Sequence, residues 1–370
     1  MTDELRCIGC GAIIQTEDSD KAGYIPKSAL EKQKDDIYCQ RCFRLRHYNE
    51  IADVEYTDDD FLSFLNQLSQ KDALIINVID IFDFTGSIIP GLQRFVGNNP
   101  ILMVGNKEDL LPKSLKRSRI KDWVRQSANK EGLRPIDVIL TSAKKGFEID
   151  QLLEKIEEYR NGRDVYVVGV TNVGKSTLIN KIIQQLTGVK QLITTSKFPG
   201  TTLDRIEIPL DDGHFLIDTP GIIHRNQMAH YLAPKELRLV TPQKEIKPKV
   251  FQLQDQQTLF LSALARFDFI SGTKDRNGIV VYLDNNLKIH RTKLINAEKF
   301  YQKHAGELLQ PPTKDELETS FPKLVRYEFK TKEKSDLVFS GLGWITVPKD
   351  SVVAGWAPEG VGVSLRKAMI

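Results

Sequence analysis

The sequence has little cysteine, little net charge and no long apolar run, and each of these shortages excludes a class of protein. Only four cysteines occur in 370 residues, all before residue 43, which argues against a fold held together by disulfides. No apolar run is long enough to cross a bilayer and the N-terminus has no apolar signal region, so we expect a cytoplasmic protein without membrane contact. The formal net charge is only +3, so any affinity for nucleic acid must come from local patches.

The most informative stretch is GVTNVGKST at residues 169–177, which satisfies the phosphate-loop pattern G-x-x-x-x-G-K-[ST]. A β-branched run at 164–168 predicts a buried strand before it, and apolar residues at helical spacing predict a helix after it. Glycines let backbone N–H groups surround a β-phosphate at the helix N-terminus. We expect Lys175 to reach the β- and γ-phosphates and Ser176 to give its hydroxyl to Mg²⁺. A chance glycine-rich turn is the alternative.

A second motif, Asn106-Lys107-Glu108-Asp109, follows a predicted buried strand and resembles the guanine-reading tetrad of GTPases. The Asp109 carboxylate can accept hydrogen bonds from both N1–H and the exocyclic amine of guanine, a donor pair that adenine does not offer. Asn106 is expected to bond the base and to brace neighbouring loops, while the stem of Lys107 covers the ring face.

Three further elements resemble GTPase motifs. After another predicted strand comes Ser142-Ala143-Lys144, which in GTPases presents backbone N–H to guanine O6. The stretch 198–202 resembles the first switch, where Thr202 would complete Mg²⁺ coordination when the γ-phosphate is present. The D-x-x-G element at 218–221 follows a predicted hairpin. Asp218 would hold Mg²⁺ through water, and the Gly221 N–H would sense the γ-phosphate.

The four cysteines form two C-x-x-C knuckles, which are typical of a structural zinc site. Two intervening residues let both thiolates of a knuckle bind one tetrahedral Zn²⁺, and two knuckles complete a Cys₄ set. Such a closed site stabilises a fold and has no open position for catalysis. A thioredoxin-like redox pair is the alternative, but no βαβ pattern surrounds it. The predicted zinc ligands are Cys7, Cys10, Cys39 and Cys42.

The order of these motifs is unusual, because the base-reading pair precedes the phosphate-binding elements. A circularly permuted G domain explains this order, since strands keep their places while the chain is cut elsewhere. Together with the Cys₄ unit, the sequence resembles the YqeH family of circularly permuted GTPases, which are associated with assembly of the small (30S) ribosomal subunit.

The resemblance implies a zinc domain at 1–50, a permuted α/β P-loop G domain with a mostly parallel sheet at 51–223, and a strand-rich α+β domain at 224–370. It also implies GTP as substrate, Mg²⁺, structural Zn²⁺, a monomer, and the small ribosomal subunit or its precursor and rRNA as partners. The alternatives are a P-loop ATPase and a signalling module without RNA contact. The predicted nucleotide-binding residues are Asn106, Lys107, Asp109, Ser142, Ala143, Lys144, Asn172, Val173, Gly174, Lys175, Ser176, Thr177 and Gly221, with Ser176, Thr202 and Asp218 at Mg²⁺ and Lys175 and Thr202 as catalytic residues.

Two positions bear on the rate of hydrolysis. Ile222 stands where many GTPases carry a water-orienting glutamine, so we expect slow intrinsic hydrolysis. Some permuted GTPases with this substitution resemble potassium-activated enzymes, in which a phosphate-loop asparagine helps to hold K⁺, and Asn172 is at the matching position. The alternative is an asparagine that makes only local turn bonds.

In the C-terminal third, apolar and polar residues alternate as they do in strands, and we find no group of residues typical of a catalytic site. A run of apolar residues at 258–269 predicts one long strand, and 297–306 predicts a helix. Basic and aromatic residues there are candidates for RNA contact, with a plain solvated sheet as the alternative. The candidates are Arg326, Lys330, Lys332, Lys334, Arg366, Lys367, Tyr327, Phe329 and Trp344.

Overall fold

The computed structural model describes residues 5, 13–18, 23–30, 37, 39–40, 64–187, 207–210, 212–219, 221, 224 and 226–370. The chain divides into two compact units. The first comprises Met1–Ile81, Ser87–Glu108 and Lys121–Ile223, and the second comprises Phe82–Gly86, Asp109–Ile120 and His224–Ile370. Within the described ranges, no helix has both the length and the apolar character needed to cross a membrane.

The first unit is built on a six-stranded sheet with the order β3-β2-β1-β4-β6-β5. All neighbours are parallel except β5 and β6, which form an antiparallel hairpin at the edge. β1 and β2 are buried almost throughout, as expected for parallel strands with both faces covered. The strands are β1 (Ala73–Asp80), β2 (Ile101–Asn106), β3 (Pro135–Leu140), β4 (Asp164–Gly169), β5 (Glu207–Pro209) and β6 (Phe215–Asp218).

The helices up to residue 187 alternate with these strands. The spacing of apolar residues in the sequence predicts helices at about 114–130 and at 147–159, and both begin later than predicted. The first begins at Arg117, because a turn closed by Leu115 N–H and the Pro112 carbonyl uses its first residues. The second begins at Ile149, because Phe147 pairs with Ser142 in a β-bridge. Residues 64–68 are helical, and the other helices are α1 (Lys27–Leu30), α2 (Phe84–Ser87), α3 (Leu92–Val96), α4 (Arg117–Lys130), α5 (Ile149–Arg160) and α6 (Lys175–Thr187).

The second unit contains two five-stranded antiparallel sheets, ordered β16-β13-β14-β10-β7 and β11-β8-β9-β15-β12. One apolar cluster draws residues from both sheets, including Phe267 and Phe269 from one and Phe339 and Ile345 from the other. The strands therefore form a sandwich around a shared core. They are β7 (Lys249–Leu253), β8 (Gln257–Leu261), β9 (Ala265–Ser271), β10 (Asn277–Tyr282), β11 (Ile289–Lys293), β12 (Leu324–Lys330), β13 (Ser335–Phe339), β14 (Gly343–Val347), β15 (Val352–Pro358) and β16 (Val363–Lys367).

The single strand predicted at 258–269 is wrong, because the chain turns within it. Ser262 has φ of +53°, and β8 and β9 pair as an antiparallel hairpin. The apolar run is continuous because both faces of the hairpin are buried: Leu259 lies in the shared core, whereas Phe260 on the other face packs against α8 residues Phe300 and Tyr301. The helices of this unit are α7 (Pro234–Val240), α8 (Leu294–His304) and α9 (Lys314–Thr319), with a 3₁₀ turn at Met228–Tyr231.

Two of the residues predicted to contact RNA are buried. Trp344 is fully buried and stacks on Tyr282, with ring centroids 4.9 Å apart. The Arg366 side chain is 11% exposed, and its Nε lies 3.5 Å from an oxygen of the fully buried Asp336 carboxylate. Both residues therefore stabilise the interior of this unit, and the prediction that they contact RNA is wrong.

Candidate nucleotide-binding site

The predicted motifs of the first unit meet at one edge of its sheet. Because the strands that carry them are parallel, their carboxyl ends share that edge. Cα register pairs Asp80 with Asn106 and Gly105 with Leu140, so the ends of β1, β2 and β3 are level. The neighbouring pairs on the other side are Val78 with Gly169 and Val167 with Asp218.

The phosphate loop has the strand–loop–helix form that the motif requires. β4 ends at Gly169 and α6 begins at Lys175. Gly174 has φ of +86°, and a Cβ there would lie 2.5 Å from Nδ2 of Asn106, so glycine is required both by the backbone and by the space. Asn172 also has positive φ, +66°, and its side chain is exposed at the tip of the loop.

Asn106 joins three loops through one side chain. Its Nδ2 donates to the Val173 carbonyl at 2.9 Å, and its Oδ1 accepts from Ala143 N–H at 3.0 Å. Asn106 is 2% exposed, so these hydrogen bonds are shielded from water. The loop after β2 is thereby fixed both to the phosphate loop and to the Ser142-Ala143-Lys144 loop.

The two base-reading loops are also tied through their backbones. Glu108 N–H donates to the Thr141 carbonyl at 3.0 Å, and the Thr141 hydroxyl donates to the Phe147 carbonyl at 2.6 Å. Ser142 and Ala143 are buried, while Lys144 is exposed. Asp109 is half-buried within the 3₁₀ turn Glu108–Leu110, directly after this anchored backbone.

Asp80, the last residue of β1, also belongs to the site, although it is part of none of the predicted motifs. Its Oδ2 accepts from Lys107 Nζ at 2.7 Å, and the same ammonium donates to the Asn172 carbonyl at 2.6 Å. Lys107 has φ of +64°, which turns its side chain back across the strand ends. Asp80 is in register with Asn106, and no motif in the sequence marks that pairing.

Lys175 and Asp218 form a buried ion pair at the phosphate end of the site. Lys175 Nζ donates to Asp218 Oδ1 and to the Thr219 carbonyl, and the two charged residues are 6% and 7% exposed. The Thr219 hydroxyl donates to the Val167 carbonyl at 2.8 Å, which fixes the chain after β6. Here an ammonium suited to phosphate oxygens and a carboxylate suited to a hydrated Mg²⁺ lie side by side.

The D-x-x-G element returns to the phosphate loop. A Cβ placed on Gly221 would lie 3.4 Å from Cγ2 of Thr171 and 3.7 Å from its backbone nitrogen. The Gly221 backbone therefore runs alongside the start of the phosphate loop. Ser176 and Thr177 occupy the first turn of α6, partly buried and exposed respectively.

Several predicted residues lie outside the described part of the chain. They are Thr202, Ile222, Cys7, Cys10 and Cys42. The remaining predicted zinc ligand, Cys39, is buried at 1% exposure. Among the residues that the structure describes, no three His, Cys, Asp or Glu side chains are grouped so as to hold a metal ion.

Comparison with known proteins finds two matching families and several relatives. Residues 164–263 match a family described as 50S ribosome-binding GTPase, and residues 276–369 match one described as YqeH-like, C-terminal. YqeH of Bacillus subtilis (strain 168) is 56% identical over 370 residues, covering 100% of both chains. The NO-associated protein 1 of Arabidopsis thaliana is 30% identical, covering 95% of this chain and 71% of its own. Human nitric oxide-associated protein 1 is 25% identical, covering 99% and 75%.

Proposed function

This chain belongs to the YqeH family of circularly permuted GTPases, and from that premise we propose that it is a GTP-hydrolysing switch in assembly of the small ribosomal subunit. The main observation that supports GTP binding is the pair of hydrogen bonds made by Asn106. They join the base-reading loops to the phosphate loop, which is the geometry that a nucleotide spanning both requires.

The proposed chemistry divides among three groups of residues. Asp109 and the backbone after Ser142 read guanine, while Lys175 and the phosphate-loop amides hold the β- and γ-phosphates. Ser176, Thr202 and Asp218 would hold Mg²⁺, which neutralises charge on the phosphate oxygens when bound. Because Ile222 has no group that can orient water, this chain positions the nucleophile poorly, and slow turnover is proposed.

Potassium is proposed to compensate in part, through Asn172. The Asn172 backbone carbonyl accepts a hydrogen bond from Lys107 Nζ, which holds the tip of the phosphate loop. The Asn172 side chain is exposed there, so its amide oxygen can bind a cation beside the phosphates. We expect GTP turnover to be at least about tenfold faster in KCl than in NaCl at equal ionic strength, because a cation beside the phosphates stabilises the charge of the transition state. Asn172→Asp should keep the preference for K⁺ and Asn172→Ala should lose it. Equal wild-type rates in the two salts would contradict the proposal.

The zinc unit and the second unit are proposed to contact rRNA. Cys7, Cys10, Cys39 and Cys42 would bind Zn²⁺ as a structural ion, and the burial of Cys39 suits a thiolate inside such a site. In the second unit, five of the basic candidates are exposed and carry the charge suited to phosphate. They are Arg326, Lys330, Lys332, Lys334 and Lys367.

Sedimentation of ribosomal subunits tests the proposed role in assembly of the small subunit. In cell extract we expect the protein to sediment with the small subunit when a non-hydrolysable GTP analogue is present, and to remain near the top of the gradient with GDP. The matched control is Asp109→Asn, which should remain near the top of the gradient even when the GTP analogue is present. The family description that matches residues 164–263 names the 50S particle, so cosedimentation with the large subunit alone would replace this proposal.

A further inference from the structure

One row of positions across the β11-β8-β9-β15-β12 sheet alternates between cations and aromatic rings. Strand register places His290 beside Phe260, Phe260 beside Arg266, Arg266 beside Trp356, and Trp356 beside Arg326. These positions lie on the face opposite the shared core, since the odd-numbered neighbours Leu259 and Phe267 are core residues. The row therefore lies on the outer face of this sheet, where α8 covers Phe260.

The centre of the row is rigid and nearly neutral. The Arg266 guanidinium lies 4.6 Å from the Trp356 ring centroid, and its Nε donates to Asp268 Oδ1 at 2.8 Å. Trp356 Nε1 donates to the other oxygen of Asp268 at 2.7 Å, and Thr258 donates its hydroxyl to the first at 2.6 Å. Because Asp268 is 2% exposed, these bonds fix the indole of Trp356 in one orientation while the ring itself stays half-buried.

A cavity of about 460 Å³ opens beside this indole, which is within the size range of small-ligand sites. Its apolar lining includes Trp356, Tyr301, Leu317 and Phe321. Its charged lining includes Arg266, already paired with Asp268, and two further cations and two anions: Lys314, Lys323, Glu298 and Glu318. The Lys314 and Lys323 residues are exposed, so their ammonium groups can meet a ligand at the rim.

We propose that this cavity binds a nucleoside 5′-phosphate, with the base against Trp356 and the phosphate at Lys314 and Lys323. A planar ring fits a fixed aromatic wall and an apolar floor, and base-on-aromatic stacking is a strong sequence-tolerant contact. The exposed ammonium groups of Lys314 and Lys323 can donate to a phosphate, and the carboxylates of Glu298 and Glu318 can accept from exocyclic amines. A free nucleotide and an unpaired nucleotide of an RNA strand both carry this base and phosphate. The inference rests on the RNA contact proposed above.

The test uses the full-length protein saturated with GDP and Mg²⁺, so that the guanine site is filled. AMP, CMP, UMP and fluorescein-labelled hexaribonucleotides are titrated separately, following tryptophan fluorescence and anisotropy. We expect quenching of Trp356, and affinity that falls about 5- to 150-fold in Trp356→Leu. Trp356→Phe loses the same hydrogen bond to Asp268 but keeps a ring, so it should retain most of the affinity. Binding of mononucleotides identifies a free-nucleotide site, and binding of hexamers alone identifies an RNA strand.

The matched charge control compares two exposed lysines, Lys323 directly before β12 and Lys299 on α8. Lys323→Ala should weaken binding several-fold, whereas Lys299→Ala, exposed but outside the cavity, should leave affinity unchanged. Equal losses of affinity in the two lysine variants would overturn the proposal, and so would equal losses in Trp356→Leu and Trp356→Phe. Failure of every probe to bind would also overturn it, and would favour a protein side chain as the occupant. A protein that sediments with the small subunit but binds no probe loses this site alone and keeps the proposed function.

Discussion

Replacing Asp109 with Asn is expected to weaken GDP and GTP binding by about 10²–10⁴-fold while leaving the fold intact. The Asp109 carboxylate is proposed to accept two hydrogen bonds from guanine, each contributing about 1.5–3 kcal/mol when one partner is charged. At about 1.4 kcal/mol per tenfold, their loss gives the stated range. Because the side chain is half-buried in a surface turn, its removal should cost little stability.

The same substitution should change which base is bound. An asparagine amide can donate to the 2-oxo group of xanthine, which replaces the exocyclic amine of guanine. We therefore expect XDP and XTP to bind the Asp109→Asn variant more tightly than GDP and GTP, and XTP to restore hydrolysis. Equilibrium titration with fluorescent guanine and xanthine nucleotides measures both effects.

Asp122→Asn is the matched control for this experiment. Asp122 is exposed on α4, so the same chemical change there should alter neither affinity nor base preference. If ATP displaces GDP from the wild-type protein, or if Asp109→Asn binds GDP as tightly as wild type, then Asp109 does not read the base.

The motifs were predictable from the sequence because each depends on local chemistry. A β-branched run followed by glycines and a lysine specifies a strand, a turn of positive φ and a helix start, and the structure has all three at Val165–Lys175. The meeting of the loops was also predictable, because parallel strands bring their carboxyl ends together.

Contacts between distant residues were not predictable in the same way. The pairing of Lys107 with Asp80 depends on the register of two strands and on a left-handed lysine backbone, neither of which the sequence displays. In the second unit, the apolar run 258–269 shows no alternation of apolar and polar residues, because both faces of its hairpin are buried. Trp344 and Trp356 look alike in sequence, yet sheet pairing buries one completely and leaves the other half-buried beside a cavity.

Replacing Lys175 with Met should abolish most GTP turnover and also destabilise the protein. Loss of a preorganised cation at the β- and γ-phosphates is expected to lower the rate of hydrolysis by about 10²–10³-fold. Without nucleotide or Mg²⁺, the free energy of unfolding should fall by about 3–5 kcal/mol, because Asp218, 7% exposed, loses the ammonium group of Lys175. Single-turnover hydrolysis and denaturant unfolding in EDTA measure the two effects.

A double variant separates catalysis from stability. Lys175→Met with Asp218→Asn removes both charges of the buried pair, so most of the lost stability should return while hydrolysis remains absent, since neither the phosphates nor Mg²⁺ regains a ligand. Lys181 lies on the same helix and donates to Gln184 at 3.1 Å, so Lys181→Met should behave as wild type in both assays. A double variant no more stable than Lys175→Met alone would mean that the ion pair does not stabilise the first unit, and hydrolysis by either variant at the wild-type rate would remove Lys175 from the site.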